Sequence, residues 1–304
     1  MATMPSAGSK DLGLGVLARP SGALAMVAID QRESLHTMFA KARGNRVTDQ
    51  AVVDFKLAAA EVLAPYASAM LFDRKFSMPA FKAAGIANPA CGRILAADAL
   101  VQEEGGDVLD SDIDSMVPPS WAREQGAVAL KLLLIWRGDE TAARSVEIAG
   151  RFVEACHGAG LVAVVEGIVR KPRTATESWS REFAIVEAAR ALGAVEPDLY
   201  KCQVPFAGVG EASSIADVCE QITAALPCRW VVLSAGVNVN DYARAVEIAC
   251  KAGASGFLAG RAIWGDMLAR EDYRAQIQKI SVARLRNLVE IVDNYARPWF
   301  ATAR

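Results

Sequence analysis

The stretch Val128-Ala129-Leu130-Lys131-Leu132-Leu133-Leu134-Ile135-Trp136 indicates the fold of this chain. Every side chain in it is apolar except that of Lys131, whereas a strand with one solvated face alternates apolar and polar residues. Nearly continuous hydrophobicity is typical of a parallel strand that is covered on both faces. We therefore expect a parallel sheet, with one lysine inside it.

Seven more short apolar runs occur along the chain. They cover residues 24–30, 67–73, 93–98, 161–166, 199–204, 230–234 and 256–260. Helical periodicity occupies several stretches between the runs, namely 49–64, 140–158, 181–192 and 241–252. Eight strand-helix units in 304 residues match the count of a (β/α)8 barrel, so we predict a TIM barrel. A doubly wound open sheet is the alternative, because periodicity alone does not show that a sheet closes.

The remaining segments fit one barrel domain that spans residues 1–304. Residues 1–12 are mostly small and polar and predict a flexible leader, not a signal peptide. Residues 13–18 resemble a dinucleotide-binding fingerprint, but no strand precedes them, so we attribute the match to chance. The acidic segment 101–120 predicts a long loop above the barrel, and residues 270–304 predict a C-terminal helical extension.

Composition excludes several classes of protein. Hydrophobic residues make up 53% of the chain, and 33 basic against 35 acidic residues give a formal charge of −2. We see no basic stripe with interleaved aromatics, so we expect no nucleic-acid partner. The apolar runs are too short to span a bilayer, so we expect no membrane partner. Six cysteines, none in a Cys-x-x-Cys pair, are typical of a reduced cytoplasm, where we place the protein.

The histidine content argues against a zinc enzyme. The only two histidines, His36 and His157, are remote from each other in sequence, and we expect both on helix surfaces. Zinc sites are usually built from more imidazole or thiolate ligands than this pattern offers, although carboxylates can still bind magnesium. The chain also lacks a Gly-x-Ser-x-Gly elbow, which argues against a serine hydrolase.

Lys201 is the residue that points to a reaction. It stands at the centre of the otherwise apolar strand 199–204. Burying an ammonium group is so unfavourable that such a lysine tends to lose its proton, and a neutral amine in a pocket attacks ketones and aldehydes. This predicts a Schiff-base enzyme. The alternative is a structural lysine that extends its ammonium to solvent or holds an ion pair.

In parallel barrels the reacting groups lie at the carboxyl ends of the strands. Here those ends carry polar side chains: Asp30, Gln31, Arg32, Asp73, Asp98, Arg137, Glu166, Lys201, Ser234 and Arg261. A single acid in such a place is more often a helix cap than a catalyst. Lys131, by contrast, lies within its strand, so we expect it to meet Glu166 and Lys201 inside the barrel.

This trio suits imine chemistry. The charge of Lys131 disfavours a second positive charge on Lys201 and so leaves part of it as free amine, while Glu166 is a candidate general base. The turns at 234–236 and 260–261 bring backbone amides, a hydroxyl and a guanidinium to the place where barrels bind phosphate. We therefore expect a phosphorylated ketose as the substrate. Alternatively, Gly236 and Gly260 serve only to form tight strand-to-helix turns.

Several segments together resemble a known family. They are residues 28–33, 64–69, 129–137, 165–166, 200–201, 233–237 and 256–264. They resemble the lysine-dependent aldolases of the tagatose-1,6-bisphosphate aldolase group, and most closely the members that act on 6-deoxy-6-sulfofructose 1-phosphate. The resemblance runs from about residue 21 to the final helix. It implies a (β/α)8 enzyme that needs no metal or other cofactor, and barrels of this size often form homo-oligomers through their outer helices.

The resemblance also implies a role for each site residue. Lys201 forms an imine with the substrate ketone, Glu166 acts as the base, and Asp30 and Lys131 orient hydroxyls. The products are dihydroxyacetone phosphate and sulfolactaldehyde. The remaining candidates bind the substrate: Ser234, Gly236, Gly260 and Arg261 at the phosphate, and Gln31, Arg32 and Arg137 at the distal anion.

Two positions depart from the family pattern. Gln203 stands where a glutamate is common, and Gly167 stands where a proline is usual. Residues 201 and 203 of a strand share a face, so the first change can alter the charge near Lys201. The basic run 170–173 is a further candidate for the distal anion, or else a solvated loop. Tagatose 1,6-bisphosphate or a related ketose phosphate is the alternative substrate, and a non-catalytic sugar-phosphate-binding barrel is the alternative function.

Overall fold

The computed structural model describes residues 13–78, 91–103, 108–172 and 177–301. The strands, in chain order, are β1 (Leu24–Ala28), β2 (Ala69–Phe72), β3 (Gly92–Ala96), β4 (Asp98–Gln102), β5 (Val108–Ile113), β6 (Ala129–Trp136), β7 (Val162–Val169), β8 (Leu199–Cys202), β9 (Arg229–Val232) and β10 (Gly256–Ala259). Eight of them close a barrel in the order β1, β10, β9, β8, β7, β6, β3, β2. All the barrel pairings are parallel. The predicted TIM barrel is confirmed, and the open sheet is excluded.

Helices cover the outside of the barrel. They are α1 (Glu33–Arg43), α2 (Asp49–Leu63), α3 (Pro119–Glu124), α4 (Ala142–Gly158), α5 (Arg181–Gly193), α6 (Ala212–Ala225), α7 (Val239–Lys251), α8 (Arg261–Trp264), α9 (Tyr273–Gln276) and α10 (Val282–Tyr295). Each of the four periodic stretches forms a helix whose ends lie within two residues of those predicted. None of the helices in the described part of the chain is long and apolar enough to cross a membrane.

The barrel interior is apolar at its amino-terminal end and polar at the other. Inward-facing side chains such as Ala129, Val164 and Leu199 pack together in one buried cluster. Side chains alternate along a strand, so the next inward positions on β6, β7 and β8 are 131, 166 and 201. These are the two lysines and the glutamate, so the alternation itself places the charged trio directly above the apolar layer.

Residues 13–18 have a structural role at the amino-terminal end of the barrel. The 3-10 helix Leu14–Leu17 buries Leu14 and Leu17 in the same interior cluster. The C-terminal tail packs beside it, with Trp299 near this helix and the Trp299 amide donating to the Gly22 carbonyl at 3.0 Å. These two segments close that end of the barrel. The leader predicted at residues 1–12 lies outside the described residues.

The described residues of the segment 101–120, which was predicted as a long loop above the barrel, include regular structure that was not predicted. Strands β4 and β5 form an antiparallel hairpin that begins at Asp98, and α3 follows it. The hairpin lies outside the barrel sheet and exposes many of its side chains, so it lacks the apolar runs of the barrel strands. The third apolar run therefore contains a strand boundary, because β3 ends at Ala96.

The C-terminal extension predicted over residues 270–304 is helical, but its helix is interrupted. A short π-helical turn, Ile277–Ser281, joins α9 to α10. This run packs against α2 and α7, and α10 also contacts β1. The extension therefore covers one side of the barrel, and the tail that follows α10 reaches its amino-terminal end.

The two histidines differ in burial. His157 is exposed on α4 as expected, 3.1 Å from the Asp198 carboxylate. His36 on α1 is 97% buried, so the expectation of a surface position is wrong for this residue. Its ring nitrogens lie 3.1 Å from the Val47 carbonyl and 3.0 Å from the Asp49 carboxylate, because the chain after α1 folds back over it.

Candidate active site

A cavity of about 340 Å³ opens at the carboxyl ends of the barrel strands. Asp30, Lys131, Glu166 and Lys201 line it, as the sequence predicted. Of the remaining candidates, Gln31, Arg32, Ser234, Gly260 and Arg261 also line the cavity. Nine of the eleven predicted site residues therefore meet around one cavity, although they come from six separate strands and the turns that follow them.

Lys201 and Glu166 form the centre of the site. They lie opposite each other on β8 and β7, and Nζ of Lys201 is 2.9 Å from Oε1 of Glu166. Both side chains are about 95% buried, so this contact is largely shielded from bulk water. An amine beside a carboxylate at the edge of a cavity is the arrangement of a nucleophile and its base.

Lys131 lies deeper and is surrounded by carboxylates. Its Nζ is 2.8 Å from Oδ2 of Asp30, 2.6 Å from Oδ2 of Asp98 and 3.3 Å from Oε2 of Glu166. Burial alone lowers the pKa of a lysine, but the carboxylates of Asp30, Asp98 and Glu166 raise the pKa of Lys131 above its ordinary value. Lys131 is therefore a fixed cation.

Asp30 is a fixed anion for the same reason. Burial would raise the pKa of its carboxyl, but the charges of Lys131 and Lys201 hold that pKa well below its ordinary value. The expectation that Lys131 acts on Lys201 simply as a second cation is therefore incomplete, because carboxylates compensate its charge. Whether Lys131 promotes loss of the Lys201 proton stays a prediction.

Asp98 is the main site residue that sequence reasoning missed. Its side chain is fully buried; Oδ2 accepts from Lys131, and the Arg32 guanidinium pairs with Oδ1 and donates to the Asp98 carbonyl at 2.7 Å. Burial opposes ionisation, but Lys131 and Arg32 keep the pKa of Asp98 below its ordinary value. The sequence signal was its place at a strand end, and the hairpin that turns it toward Lys131 was not predicted.

The residues predicted to bind the distal anion lie in different surroundings. Arg32 lines the cavity, but its charge is paired with Asp98, and this pairing outweighs burial and raises the pKa of the guanidinium. Gln31 also lines the cavity, and its Oε1 is buried without a hydrogen bond from any described residue. Arg137 is not among the described lining residues and donates to the Leu109 carbonyl at 2.9 Å. Its assignment to the distal anion stays a prediction.

At the predicted phosphate end, Ser234 connects two turns. Its Oγ accepts from the amide of Gly260 at 3.3 Å and from that of Ala262 at 3.5 Å. This arrangement leaves the Ser234 hydroxyl hydrogen for another acceptor, but it occupies the Gly260 amide that the sequence assigned to phosphate. A Cβ at Gly260 would lie 2.4 Å from the Ala28 carbonyl oxygen, so only glycine fits there.

Gly236, which the sequence assigned to the phosphate, lies in the turn after β9. It is not among the described lining residues, and its φ of +81° belongs to the left-handed region that favours glycine. Its assignment to the phosphate stays a prediction. Arg261, at the start of α8, lines the cavity as expected.

The structure explains both departures from the family pattern. Gln203 lies just beyond β8 and is not a described lining residue; its Oε1 accepts from the Val169 amide at 2.7 Å. Its role is to pair with the end of β7. At Gly167, a Cβ would lie 2.0 Å from the Tyr200 hydroxyl oxygen, so this tyrosine occupies the space that a larger residue would need.

Other lining residues come from elements that sequence reasoning did not connect with the site. Ser34, Thr37 and Lys41 of α1, Leu100, Gln102 and Val108 of the hairpin, and Arg170 after β7 belong to this group. Only Arg170 had a signal, through the basic run 170–173, of which residue 173 lies outside the described residues. The others lie beyond strand ends, and only the folded chain brings them to the cavity.

The acidic groups of the site do not form a metal centre. Among the described residues, no cluster of three or more His, Cys, Asp or Glu side chains is arranged to hold a metal ion. The carboxylates of Asp30, Asp98 and Glu166 converge on the Lys131 ammonium. This ammonium occupies the position that a cation bound by these carboxylates would take.

Comparison with known proteins identifies the family. The model of the DeoC/LacD family aldolases matches residues 24–266, and the chain belongs to this family. It is an enzyme of the class I, lysine-dependent type of aldolase, and so a carbon-carbon lyase. The predicted enzyme class is confirmed, and the alternative of a non-catalytic binding barrel is excluded.

Similar proteins cover nearly the whole chain. Tagatose 1,6-diphosphate aldolase of Listeria monocytogenes serotype 4b (strain CLIP80459) is 29% identical over 95% of this chain and 93% of its own. Tagatose 1,6-diphosphate aldolase 1 of Streptococcus mutans is 28% identical over 82% of each chain. An archaeal fructose 1,6-bisphosphate aldolase shares the fold, with a TM-score of 0.62 and 17% identity over 92% of this chain and 98% of its own. A second structure of an archaeal fructose-1,6-bisphosphate aldolase, whose catalytic lysine carries the carbinolamine intermediate, has a TM-score of 0.61 at 17% identity, with the same coverage of both chains.

Proposed function

We propose that this aldolase cleaves 6-deoxy-6-sulfofructose 1-phosphate reversibly to dihydroxyacetone phosphate and sulfolactaldehyde, with Lys201 as the Schiff-base residue. The observation that carries the reaction type is the contact of 2.9 Å between Lys201 and Glu166 at the cavity, beside the turns that hold Ser234 and Arg261. The resemblance of the sequence to aldolases that act on sulfofructose phosphate supports the choice of substrate.

The proposed reaction begins when the free amine of Lys201 attacks the carbon-2 ketone. The resulting carbinolamine loses water to give an iminium ion, which accepts the electron pair of the bond between carbons 3 and 4 as that bond breaks. Glu166 takes the proton of the carbon-4 hydroxyl, and the aldehyde leaves. The enamine is then protonated at carbon 3, and water releases dihydroxyacetone phosphate and regenerates the amine.

Asp30 and Lys131 assist without entering covalent chemistry. The Asp30 carboxylate lines the cavity and accepts a hydrogen bond from a substrate hydroxyl. The Lys131 ammonium lies 3.3 Å from Oε2 of Glu166, the proposed base. Because Lys131 also binds Asp30 and Asp98, it keeps both acids of the cavity in place.

The order of the strands orients the substrate. Carbon 2 is bonded to carbon 1, so the phosphate on carbon 1 must bind close to Lys201. The strands next to β8 on one side are β9 and then β10, and these lead into Ser234 and Gly260-Arg261. On the other side of β8 is β7, which carries Glu166 toward carbon 4. The proposed phosphate site therefore lies over β9 and β10.

The residues proposed for the distal anion favour a group of low charge. Gln31 offers a side-chain amide, and Gln102 and Arg170 also line the cavity. The charge of Arg32 is balanced by Asp98, and Arg137 is occupied by the hairpin. A sulfonate carries one negative charge and a phosphate monoester up to two. The balanced Arg32 therefore supports a sulfonate as the distal anion.

Tagatose 1,6-bisphosphate is the second candidate substrate. The tagatose 1,6-diphosphate aldolases of Listeria and Streptococcus are 28 to 29% identical to this chain over most of its length. Cleavage of that substrate gives dihydroxyacetone phosphate and glyceraldehyde 3-phosphate through the same imine. The two proposals share the mechanism and differ only in the distal anion.

Reductive trapping tests the mechanism first. The protein is treated with borohydride in the presence of dihydroxyacetone phosphate, and the adduct is located by intact-mass and peptide mass spectrometry. We expect one adduct, on Lys201. The fully buried Lys56, which lies outside the cavity lining, is the internal control and stays unmodified. No adduct despite demonstrated ligand binding, or an adduct elsewhere, overturns the assignment.

Steady-state kinetics then test the substrate. We expect kcat/KM for 6-deoxy-6-sulfofructose 1-phosphate to exceed the values for tagatose and fructose 1,6-bisphosphates by more than tenfold. A preference for either bisphosphate assigns the protein to the second candidate. Because the trapping uses only the shared product, its outcome does not depend on this comparison.

We further propose that the protein is a cytoplasmic homo-oligomer of single-domain subunits. All six cysteines are free, and burial raises the pKa of Cys91 and Cys219 to about 12, so these two stay as thiols. Free thiols are typical of a reducing compartment.

The exposed side chains of Phe183, Phe206 and Val209 offer apolar surface for a subunit contact. Light scattering after gel filtration measures the number of subunits. A monomer at all concentrations would overturn the proposal of a homo-oligomer.

A further inference from the structure

Asp98 connects two cations of the site, Lys131 and Arg32. Its Oδ2 accepts from Lys131 at 2.6 Å and from the Leu133 amide at 3.2 Å. Its Oδ1 pairs with the Arg32 guanidinium, and its carbonyl accepts a second hydrogen bond from Arg32 at 2.7 Å. We propose that Asp98 is a positioning residue of the aldolase site, which holds Lys131 and Arg32 in place and balances their charge; the inference rests on the function proposed above.

The burial of Asp98 distinguishes positioning from direct catalysis. Its side chain has no solvent-accessible surface, and it is not among the described residues that line the cavity. Lys131 and Arg32 both line the cavity. Asp98 therefore acts on a substrate only through these two residues, of which Lys131 also lies 3.3 Å from the proposed base Glu166.

The same carboxylate anchors the hairpin. Asp98 is the first residue of β4, and residues 98, 100 and 102 share one face of that strand. Leu100 and Gln102 line the cavity, while Asp98 points below them to Lys131 and Arg32. The position of the hairpin wall therefore depends on the same contacts as the position of the two cations.

The charge balance of this cluster predicts opposite effects for removal of the Asp98 charge and of the Arg32 charge. Three acids, Asp30, Asp98 and Glu166, face three bases, Arg32, Lys131 and Lys201, through the ion pairs described above. The cluster is neutral when all six groups are ionised. Removal of the Asp98 charge leaves it positive, which favours loss of a proton from either Lys201 or Glu166. Removal of the Arg32 charge leaves it negative and has the opposite effect.

The experiment measures the pH dependence of kcat/KM for Asp98→Asn and Arg32→Gln, using whichever ketose phosphate the wild-type protein cleaves. We expect the acidic limb to move by about 0.5 to 1 pH unit to lower pH for Asp98→Asn and to higher pH for Arg32→Gln. We also expect kcat of Asp98→Asn to fall by about tenfold or more, since a misplaced catalytic group affects the chemical step.

Asp73→Asn is the matched control. Asp73 is 99% buried, follows the neighbouring strand β2 and pairs with the fully buried Lys56, but it does not belong to the described cavity lining. Burial lowers the pKa of Lys56, so this lysine can release its proton when the Asp73 charge is removed and keep the local charge unchanged. We expect a lower melting temperature for this variant, with a smaller shift of the pH profile and a smaller loss of kcat in the folded protein than for Asp98→Asn, because Asp73 makes no contact with Lys131.

Each outcome decides the inference. If Asp98→Asn matches the control in both pH profile and kcat, Asp98 is only a structural ion-pair partner and the inference is wrong. If Asp98→Asn does not fold, Arg32→Gln decides through the direction of its shift, and an unmoved or lowered acidic limb overturns the inference. A wild-type protein that cleaves no ketose phosphate refutes the proposed function instead, so the two failures are distinguishable.

Discussion

Lys201 and Glu166 lie opposite each other on adjacent parallel strands, with Nζ 2.9 Å from Oε1. The contact arises because both residues occupy inward positions two residues beyond the apolar interior layer, at Leu199 and Val164. A nucleophile and a base on rigid neighbouring strands need little rearrangement to react with a bound ketone. The barrel register thus sets the distance on which the chemistry depends.

Replacement of Lys201 tests whether its amine is needed. Lys201→Arg keeps a positive charge but cannot form an imine, so we expect turnover to fall by at least about 1,000-fold. Turnover is measured by coupling dihydroxyacetone phosphate to its reductase. Lys279→Arg, at an exposed lysine of the C-terminal extension, is the control and retains activity. Substantial residual cleavage by Lys201→Arg would refute the imine mechanism.

Replacement of Glu166 separates bond cleavage from imine formation. Glu166→Gln removes the proposed base, so we expect cleavage to slow by about 100- to 10,000-fold. Borohydride should still trap dihydroxyacetone phosphate on Lys201, because that step does not need the carbon-4 proton acceptor. Glu290→Gln on the exposed face of α10 is the control. Unchanged turnover in Glu166→Gln would remove its role as base.

Chelation tests the predicted independence from metal. The carboxylates of the site converge on Lys131, and an imine supplies the electron sink that a Lewis acid would otherwise provide. We expect EDTA to leave kcat and KM unchanged within twofold. The control is a zinc-dependent aldolase treated in the same buffer. A loss of activity that zinc restores would contradict the prediction.

Substitution of Gly260 tests the close packing below the phosphate turn. A Cβ there would lie 2.4 Å from the Ala28 carbonyl, so we expect Gly260→Ala to destabilise the protein by about 1–3 kcal/mol and to raise KM for the phosphorylated substrate. Gly158→Ala at the end of α4 is the control, because its Cβ would meet nothing within 4 Å. Equal melting temperatures for the two variants would contradict the prediction.

Acid stability depends on the buried carboxyls. The pKa values of Asp30 and Asp98 lie below that of an unfolded aspartate, about 3.9, so their stabilising contribution is present above that value. It is lost as the pH falls through the lower folded pKa. We therefore expect the difference in melting temperature between wild type and Asp98→Asn to shrink from pH 6 to pH 2. A constant difference over this range would be inconsistent with an ionised Asp98.

The sequence predicted most of the barrel. The eight apolar runs correspond to the eight barrel strands, because parallel strands covered on both faces must be apolar along their whole length. Lys131, Glu166 and Lys201 were recognisable as exceptions within or at the end of such strands. The hairpin was missed because it lies outside the barrel sheet, and its exposed side chains break the apolar pattern on which the prediction relied.

Contacts between distant segments were not predictable from local patterns. Arg137 follows a barrel strand as predicted, but the hairpin carbonyl that accepts its hydrogen bond belongs to an element that was not predicted. His36 is buried by a segment that folds back from residue 47 onward. In each case the decisive partner is distant in space from the local pattern or belongs to an element that was not predicted.

Residue type and strand period were therefore enough to establish a barrel with an amine and a carboxylate at its mouth, because both depend on the local alternation of side chains. The order of residues along the chain does not show which residue pairs with each charged side chain. Asp98 reaches Lys131 and Arg32 only because the chain leaves the barrel after β3 and turns Asp98 inward at the start of the hairpin. Burial strengthens these long-range contacts, so folding determines which cations of the cavity are already balanced and which can meet a substrate.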